Sequence, residues 1–212
     1  MKQNYQLMLD RIIESSCTDG KRPRLLLHAC CAPCSSYVLE YLSRHFEITL
    51  FFYNPNISPQ SEYDFRAKEL LRLVDELGLS ESVSVLYGNY DPHRFFEMAK
   101  GMEHLPEGGE RCRKCYALRL SESARIAADG SFDFYTTTLS ISPHKNAEWL
   151  NELGVEMGER YGVSWLYSDF KKKNGYKRSC ELSVQLGLYR QSYCGCVYSK
   201  REEKQGEANE NE

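Results

Sequence analysis

The residues with chemistry to offer here are cysteines, and they come in groups. Cys30, Cys31 and Cys34 form one, Cys112 and Cys115 a second, Cys194 and Cys196 a third, while Cys17 and Cys180 stand apart. Nine cysteines in 212 residues amount to about 4 %, below the ~8–10 % of a short secreted disulfide scaffold. An odd number in a chain of this length points to metal binding or redox chemistry rather than a disulfide framework. Cys31-x-x-Cys34 with Cys112-x-x-Cys115 looks like a zinc pattern at first. The stretch of about 77 residues between the pairs is far longer than a zinc ribbon's ~15–20, and the adjacent pair Cys30-Cys31 is unusual among zinc ligands. On the residues alone an iron–sulfur cluster stands ahead of zinc. Inert cysteines packed as small hydrophobes and a simple thiol–disulfide function are the other readings. A thiolate beyond four suggests a second metal or a reactive ligand.

Cys194-Gly-Cys196 differs from the other groups. A one-residue spacer would strain a disulfide and make it easily reduced. That suits an electron relay better than a structural staple; a second metal site and an unpaired dithiol compete with it. Lys171, Lys172, Lys173, Lys177 and Arg178 put five positive charges in eight residues around Tyr176. A phosphate-binding segment and a solvated loop face would both look like this. His28 ends a buried strand and reads as a satisfied core histidine.

The elements that must position these groups alternate. Arg24–His28 reads as a buried strand that stops where the first cysteines begin, with a helix from Pro33 and Ser35 to about Arg44. Glu47–Tyr53 is a second strand closed by the turn Asn54-Pro55-Asn56. From about Ser61 a helix places Tyr63, Ala67, Leu70, Leu71, Val74 and Leu77 on one face. Ser82–Tyr87 is a third strand, and Asp91-Pro92 caps the next helix. A polar loop from Gly101 to Arg111 leads into a helix over Cys112–Ala128, a strand over Phe132–Thr138 and a helix over His144–Tyr161. A fifth strand over Ser164–Phe170 and a last helix over Ser179–Leu188 complete the order. Such alternation predicts an α/β fold, a Rossmann-like, mostly parallel sheet with helices on both faces. Cys30-Cys31, Asn54-Pro55-Asn56, Gly88-Asn89 and Ser140-Ile141-Ser142 all follow strands. They should therefore share the edge where such sheets bind ligands.

Composition sets outer bounds. With 27 Lys+Arg against 30 Asp+Glu the formal net charge is −3, which excludes a strongly basic nucleic-acid binder on total charge though not a local basic patch. Residues 201–212 hold five Glu against Arg201 and Lys204, so the deficit belongs to a segment expected to be a disordered acidic tail. Residues 1–200 are expected to form a single α/β catalytic domain. The longest apolar run, Ile48–Tyr53, is strand-sized, and the first residues lack the apolar stretch of a secretory signal. The expectation is a cytoplasmic protein with no membrane partner.

His28-Ala-Cys-Cys-Ala-Pro-Cys34, Tyr53-Asn-Pro-Asn-Ile57 with Glu62-Tyr63, and Cys112-Arg-Lys-Cys-Tyr116 resemble the QueH family of epoxyqueuosine reductases. So do Thr136-Thr-Thr-Leu-Ser-Ile-Ser-Pro143, Lys173-Asn-Gly-Tyr-Lys-Arg-Ser179 and Leu188-Tyr-Arg-Gln-Ser-Tyr-Cys-Gly-Cys196. The matches run in order from about Arg24 to Ser199, and the ordered set is far more specific than any one of them. The resemblance implies a fold of the adenine-nucleotide hydrolase and PP-loop type, although cysteines stand where that group's Ser-Gly-Gly phosphate loop would follow the first strand. It implies reduction of epoxyqueuosine to queuosine at the wobble position of tRNA, with loss of water. By motif, Cys30, Cys31, Cys112 and Cys115 would ligate a [4Fe-4S] cluster, Cys194 and Cys196 would form a redox-active disulfide, and Cys34 would ligate a further mononuclear iron or zinc. The expected partners are the modified tRNA and an external electron donor. Tyr53, Asn54, Tyr176, Tyr189 and Arg190 are candidates for the substrate base, and Lys171, Lys172, Lys173, Lys177 and Arg178 for its phosphates.

Overall fold

A computed structural model describes residues 3–18 and 20–199; the expected acidic tail at 201–212 lies outside them. Five strands, β1 (Arg24–His28), β2 (Glu47–Phe52), β3 (Val83–Tyr87), β4 (Phe134–Thr137) and β5 (Ser164–Trp165), form one sheet in the order β3-β2-β1-β4-β5. Every pairing is parallel, and β1 at the centre sets His28 beside Phe51 on one side and Thr137 on the other. Side chains of a strand alternate between faces, and β1 is apolar on both. Leu25 and Leu27 pack with Leu9 of α1 (Tyr5–Ser16), Val38 and Leu42 of α2 (Ala32–Leu42), and Leu70 and Leu73 of α3 (Gln60–Glu76). Leu26 faces the opposite layer, where Leu120 and Ala124 of α5 (Glu110–Asp129) meet Leu150 and Met157 of α6 (Ala147–Tyr161). The short α4 (Pro92–Ala99) lies against α5, and α7 (Gly175–Gln185) against α2. The expected Rossmann-like sheet with helices on both faces is what the chain forms.

Several boundaries move, each for a local reason. The fifth strand stops at Trp165 rather than Phe170, because the Asn151 side chain takes over as backbone partner. It donates to the Ser168 carbonyl at 2.9 Å and accepts from the Ser168 N–H at 3.0 Å. The helix expected from His144 starts at Ala147, since Asn146 accepts hydrogen bonds from the Glu148 and Trp149 amides. The last helix starts earlier than expected, at Gly175, after Lys173 and Asn174 turn the chain with positive φ. Leu71, expected on the buried face of α3, is 44 % exposed; Arg66 and Leu73 belong to that face instead. Helix α1, which is not among the expected elements, buries Tyr5, Gln6 and Leu9 and packs Ile12 and Ile13 against the core.

Gly154 carries the closest approach of α6 to the sheet. A Cβ there would stand 2.2 Å from Trp165 Cδ2, and that indole is fixed by a 2.9 Å bond from Nε1 to Asn151 and by the Tyr135 ring. Gly154→Ala is therefore expected to lose about 1–3 kcal/mol from overpacking, more than the ~1 kcal/mol that alanine returns in helix propensity. Urea unfolding checks it: an unchanged or higher midpoint would show that the indole yields.

Candidate active site

The strand order reverses direction between β1 and β4, and the crevice at such a switch point is where open α/β sheets bind. Here it opens into a cavity of about 520 Å³. Cys30 follows β1 and Thr138 follows β4, and the Thr138 hydroxyl accepts from the Cys30 N–H at 3.4 Å. Cys31 stands at the N-cap of α2 and Cys34 lies in its first turn. The Sγ atoms of Cys30, Cys31 and Cys34 all lie within 4.8 Å of one another, a group that could bind a metal. Cys112 and Cys115 occupy the first turns of α5, so the cysteines of both pairs sit near the N-termini of helices. Cys194 and Cys196 arrive from the C-terminal segment. Cys30, Cys34, Cys112, Cys115, Cys194 and Cys196 all line the one cavity, so the structure brings the three sequence groups together.

The thiols are electrostatically unequal. Hydrogen bonds from Cys31 and Cys34, and then the charge of Arg119, hold Cys30 well below the usual thiol range against the opposing effect of burial. The same coupling pushes Cys31 up to about 12 and Cys34 well above its ordinary value. One of the three ionises readily, and a cation would draw off the other protons. Cys31 Sγ receives the Gln191 Nε2–H at 2.9 Å, and Cys112 Sγ receives the Gly108 N–H at 3.3 Å. Burial pushes Cys115 up to about 11. In the third group Cys194 is held well below its usual range, first by a hydrogen bond from Cys196 and then, against burial, by Lys145; Cys196 is raised in turn.

Four basic residues missed in the sequence organise this wall. Arg66 of α3 is 2 % exposed, pairs with Glu62 at 2.7 Å, and donates to the Cys194 carbonyl at 3.2 Å and the Tyr193 carbonyl at 3.3 Å. It fastens the Cys194–Cys196 segment, where Gly195 has φ +106° and a Cβ would meet Ile57 Cγ1 at 2.7 Å. Arg111 donates one nitrogen to the Met102, Glu103 and Leu105 carbonyls and so ties down the loop carrying Gly108. Arg119 reaches Asn54 at 2.5 Å. Lys145 pairs with Glu107 at 3.2 Å across the cavity wall; burial alone would lower its pKa, but Cys194, Tyr116 and Glu107 outweigh that and raise it. The i, i+4 spacing of Glu62–Arg66 and of Cys115–Arg119 was the available signal.

Other candidates fall in several places. Tyr176 and Arg190 line the cavity. Tyr53 and Asn54 are each 1 % exposed and lie in the wall's interior, Asn54 donating to the Ala29 carbonyl at 2.9 Å. Tyr189 packs edge-on against Phe65, beside Glu62. In the basic segment Lys171 pairs with Asp169, Lys173 with Asp10, and Arg178 with Glu40, while Lys172 and Lys177 are exposed without such a pair among the described residues. His28 is buried between Thr137 Oγ1 at 2.8 Å and the Tyr53 carbonyl at 3.0 Å. Burial, then Arg119, lowers its pKa to about 3, so it is the neutral core histidine expected.

Among the described residues no helix is long and apolar enough to cross a membrane. The family model "Epoxyqueuosine reductase QueH" matches residues 25–202. The Epoxyqueuosine reductase QueH of Staphylococcus epidermidis is 44 % identical over 202 residues, 93 % of this chain and 85 % of that protein. That of Streptococcus pyogenes is 40 % identical over 207 residues, 95 % and 81 % of the two chains, and that of Thermotoga maritima 36 % identical over 191 residues, 86 % and 94 %. The crevice that collects the three cysteine groups therefore belongs to a chain of the QueH family.

Proposed function

We propose that this chain reduces epoxyqueuosine at the wobble position of tRNA to queuosine, the last step of queuosine synthesis. Two electrons and two protons enter, both C–O bonds of the epoxide break, an alkene remains and water leaves. The observation that carries the reading is the meeting of three cysteine groups in one cavity, within a chain of this family. Residues 1–200 act as one catalytic domain in the cytoplasm.

Thiolate-rich donors fit an iron–sulfur group, and so does Arg119, whose Nε is buried with no partner. Cys30, Cys31, Cys112 and Cys115 would hold a [4Fe-4S] cluster, and Cys34, within 4.8 Å of Cys30 and Cys31, would help hold an additional iron or zinc. When bound, these groups supply single electrons and a Lewis acid for the epoxide oxygen. The remaining work falls to the chain. Cys194 and Cys196 form a dithiol that gives up two electrons and two protons as it closes to a disulfide, and an external donor reopens it. Lys145 keeps its proton on Nζ at the cavity wall. Tyr176 and Arg190, at the cavity, are placed to stack and orient a base turned out of the anticodon loop, with Tyr189 nearby.

Anaerobic purification with iron, sulfide and zinc analysis, a visible spectrum and turnover on tRNA carrying epoxyqueuosine tests this directly. The expected result is a brown protein with about four irons and four sulfides in the cluster, active with a chemical reductant. A colourless, inactive protein with one zinc would make it a nucleic-acid binding module; a metal-free protein that reduces disulfides would make it a thiol oxidoreductase.

For tRNA binding, the exposed Lys172 and Lys177 carry the larger share, since the other three cations already face carboxylates. The Lys172→Ala/Lys177→Ala pair is expected to weaken binding and lower the salt slope by about 1.4, from ~0.7 per single-strand phosphate contact. Filter binding across a salt series checks it; an unchanged slope returns the segment to a solvated face.

A further inference from the structure

Arg119 is a buried cation with no acid beside it, and we propose that it is the built-in counter-charge of the thiolate-held cluster. It acts through the cluster and does not touch the substrate; the proposal rests on the cluster reading above. Arg119 lies one turn past Cys115 on α5 and is 4 % exposed. Its Nη2 donates to Asn54 Oδ1 at 2.5 Å, and its Nε is buried without a partner. Among the described residues no carboxylate pairs with it. The two other buried arginines of this wall are differently served: Arg66 has Glu62 at 2.7 Å, and Arg111 has three carbonyls.

A buried charge needs an opposite charge or a full set of hydrogen bonds. Arg119 shares the cavity wall with Cys30, Cys112 and Cys115, and the carboxylate in that wall, Glu107, is paired with Lys145 at 3.2 Å, which leaves sulfur as the compensating anion. Asn54 makes the placement definite. Its Oδ1 holds the guanidinium while its Nδ2 donates to the Ala29 carbonyl at 2.9 Å, one residue before Cys30. One side chain thus ties a charge carried by the Cys112–Cys115 helix to the loop that bears Cys30 and Cys31. A cluster with four thiolates is a net anion, and an added electron makes it more so. A fixed cation in a low-dielectric wall favours the reduced form and raises the potential. The unspent Nε–H is a donor of the kind that does the same toward a sulfur.

The test compares anaerobic wild type, Arg119→Lys and Arg119→Met by iron content and by redox titration followed in the visible and by paramagnetic resonance. Arg119→Lys, which keeps the charge, should hold iron and titrate close to wild type. Arg119→Met should shift the reduction equilibrium at least tenfold toward the oxidised cluster, 59 mV for one electron. A loaded Arg119→Met that titrates with wild type overturns the proposal. If Arg119→Met holds no iron, Arg119→Lys decides: wild-type loading supports a charge role, and loss in both assigns Arg119 to shape alone. A wild type without iron overturns the cluster reading itself, and the proposal with it.

Discussion

Cys112→Ser protein purified without oxygen is expected to lose its iron and its reductase turnover together. Cys112 is in the first turn of α5, near the helix's positive end. Its Sγ already receives the Gly108 N–H at 3.3 Å, from a loop tied down by Arg111. These contacts hold the sulfur still and aim it at the cavity. Serine keeps the shape but offers a hard, protonated oxygen on a shorter bond, a poor ligand for iron in a sulfur-rich site. Loss of partners beyond the ligands typically costs about 10–100-fold at metal sites, so loss of a ligand should exceed that in turnover. Cys180→Ser is the control, because Cys180 lies on α7 and does not line the cavity; it should keep both iron and activity. Full iron and full turnover in Cys112→Ser would remove Cys112 from the ligand set.

The cysteine groups were legible by their spacing, and the first also by its place directly after a strand. β1 is a short apolar run that must end at His28, so strand-edge logic brought Cys30 and Cys31 to the crevice, whereas Cys112 and Cys115 were joined to them only by the family resemblance. The basic residues of the wall were not legible in the same way. Arg66 meets the Cys194 carbonyl 128 positions along the chain, and nothing local distinguishes it from an ordinary i, i+4 partner of Glu62 on a surface helix. The fifth strand was overextended for a related reason. Ser164 to Phe170 reads as strand, but the partner that ends it after Trp165 is a side chain on a helix, Asn151. Charge density misled in a third way: Lys171, Lys173 and Arg178 count as three positive charges along the sequence, yet the fold sets an acid against each. Local periodicity reports burial, whereas pairing is a property of the folded chain.

Cys196→Ser separates the relay from the cluster. Cys194 and Cys196 line the same cavity as the other groups, but they reach it on a segment of their own, fastened by Arg66 to the Cys194 carbonyl and by the Ser58 N–H to the Gly195 carbonyl at 2.9 Å. Removing the Cys196 sulfur leaves Cys30, Cys31, Cys112 and Cys115 untouched, so iron, sulfide and the visible spectrum should match wild type. What disappears is the second thiol of the disulfide, and with it the two-electron store. Turnover with a thiol-directed external donor should fall by at least about a hundredfold, which corresponds to about 2.7 kcal/mol in barrier. Cys194 amplifies the effect. Its thiol is held well below the usual range first by the Cys196 hydrogen bond, with burial opposing and Lys145 assisting. Serine at 196 replaces that donor and leaves Cys194 ionised but with no sulfur to close on. A strong chemical reductant that feeds the cluster directly should restore part of the rate, because it bypasses the dithiol. Wild-type turnover in Cys196→Ser would exclude the relay, and loss of iron in the same variant would make the pair ligands of a metal instead.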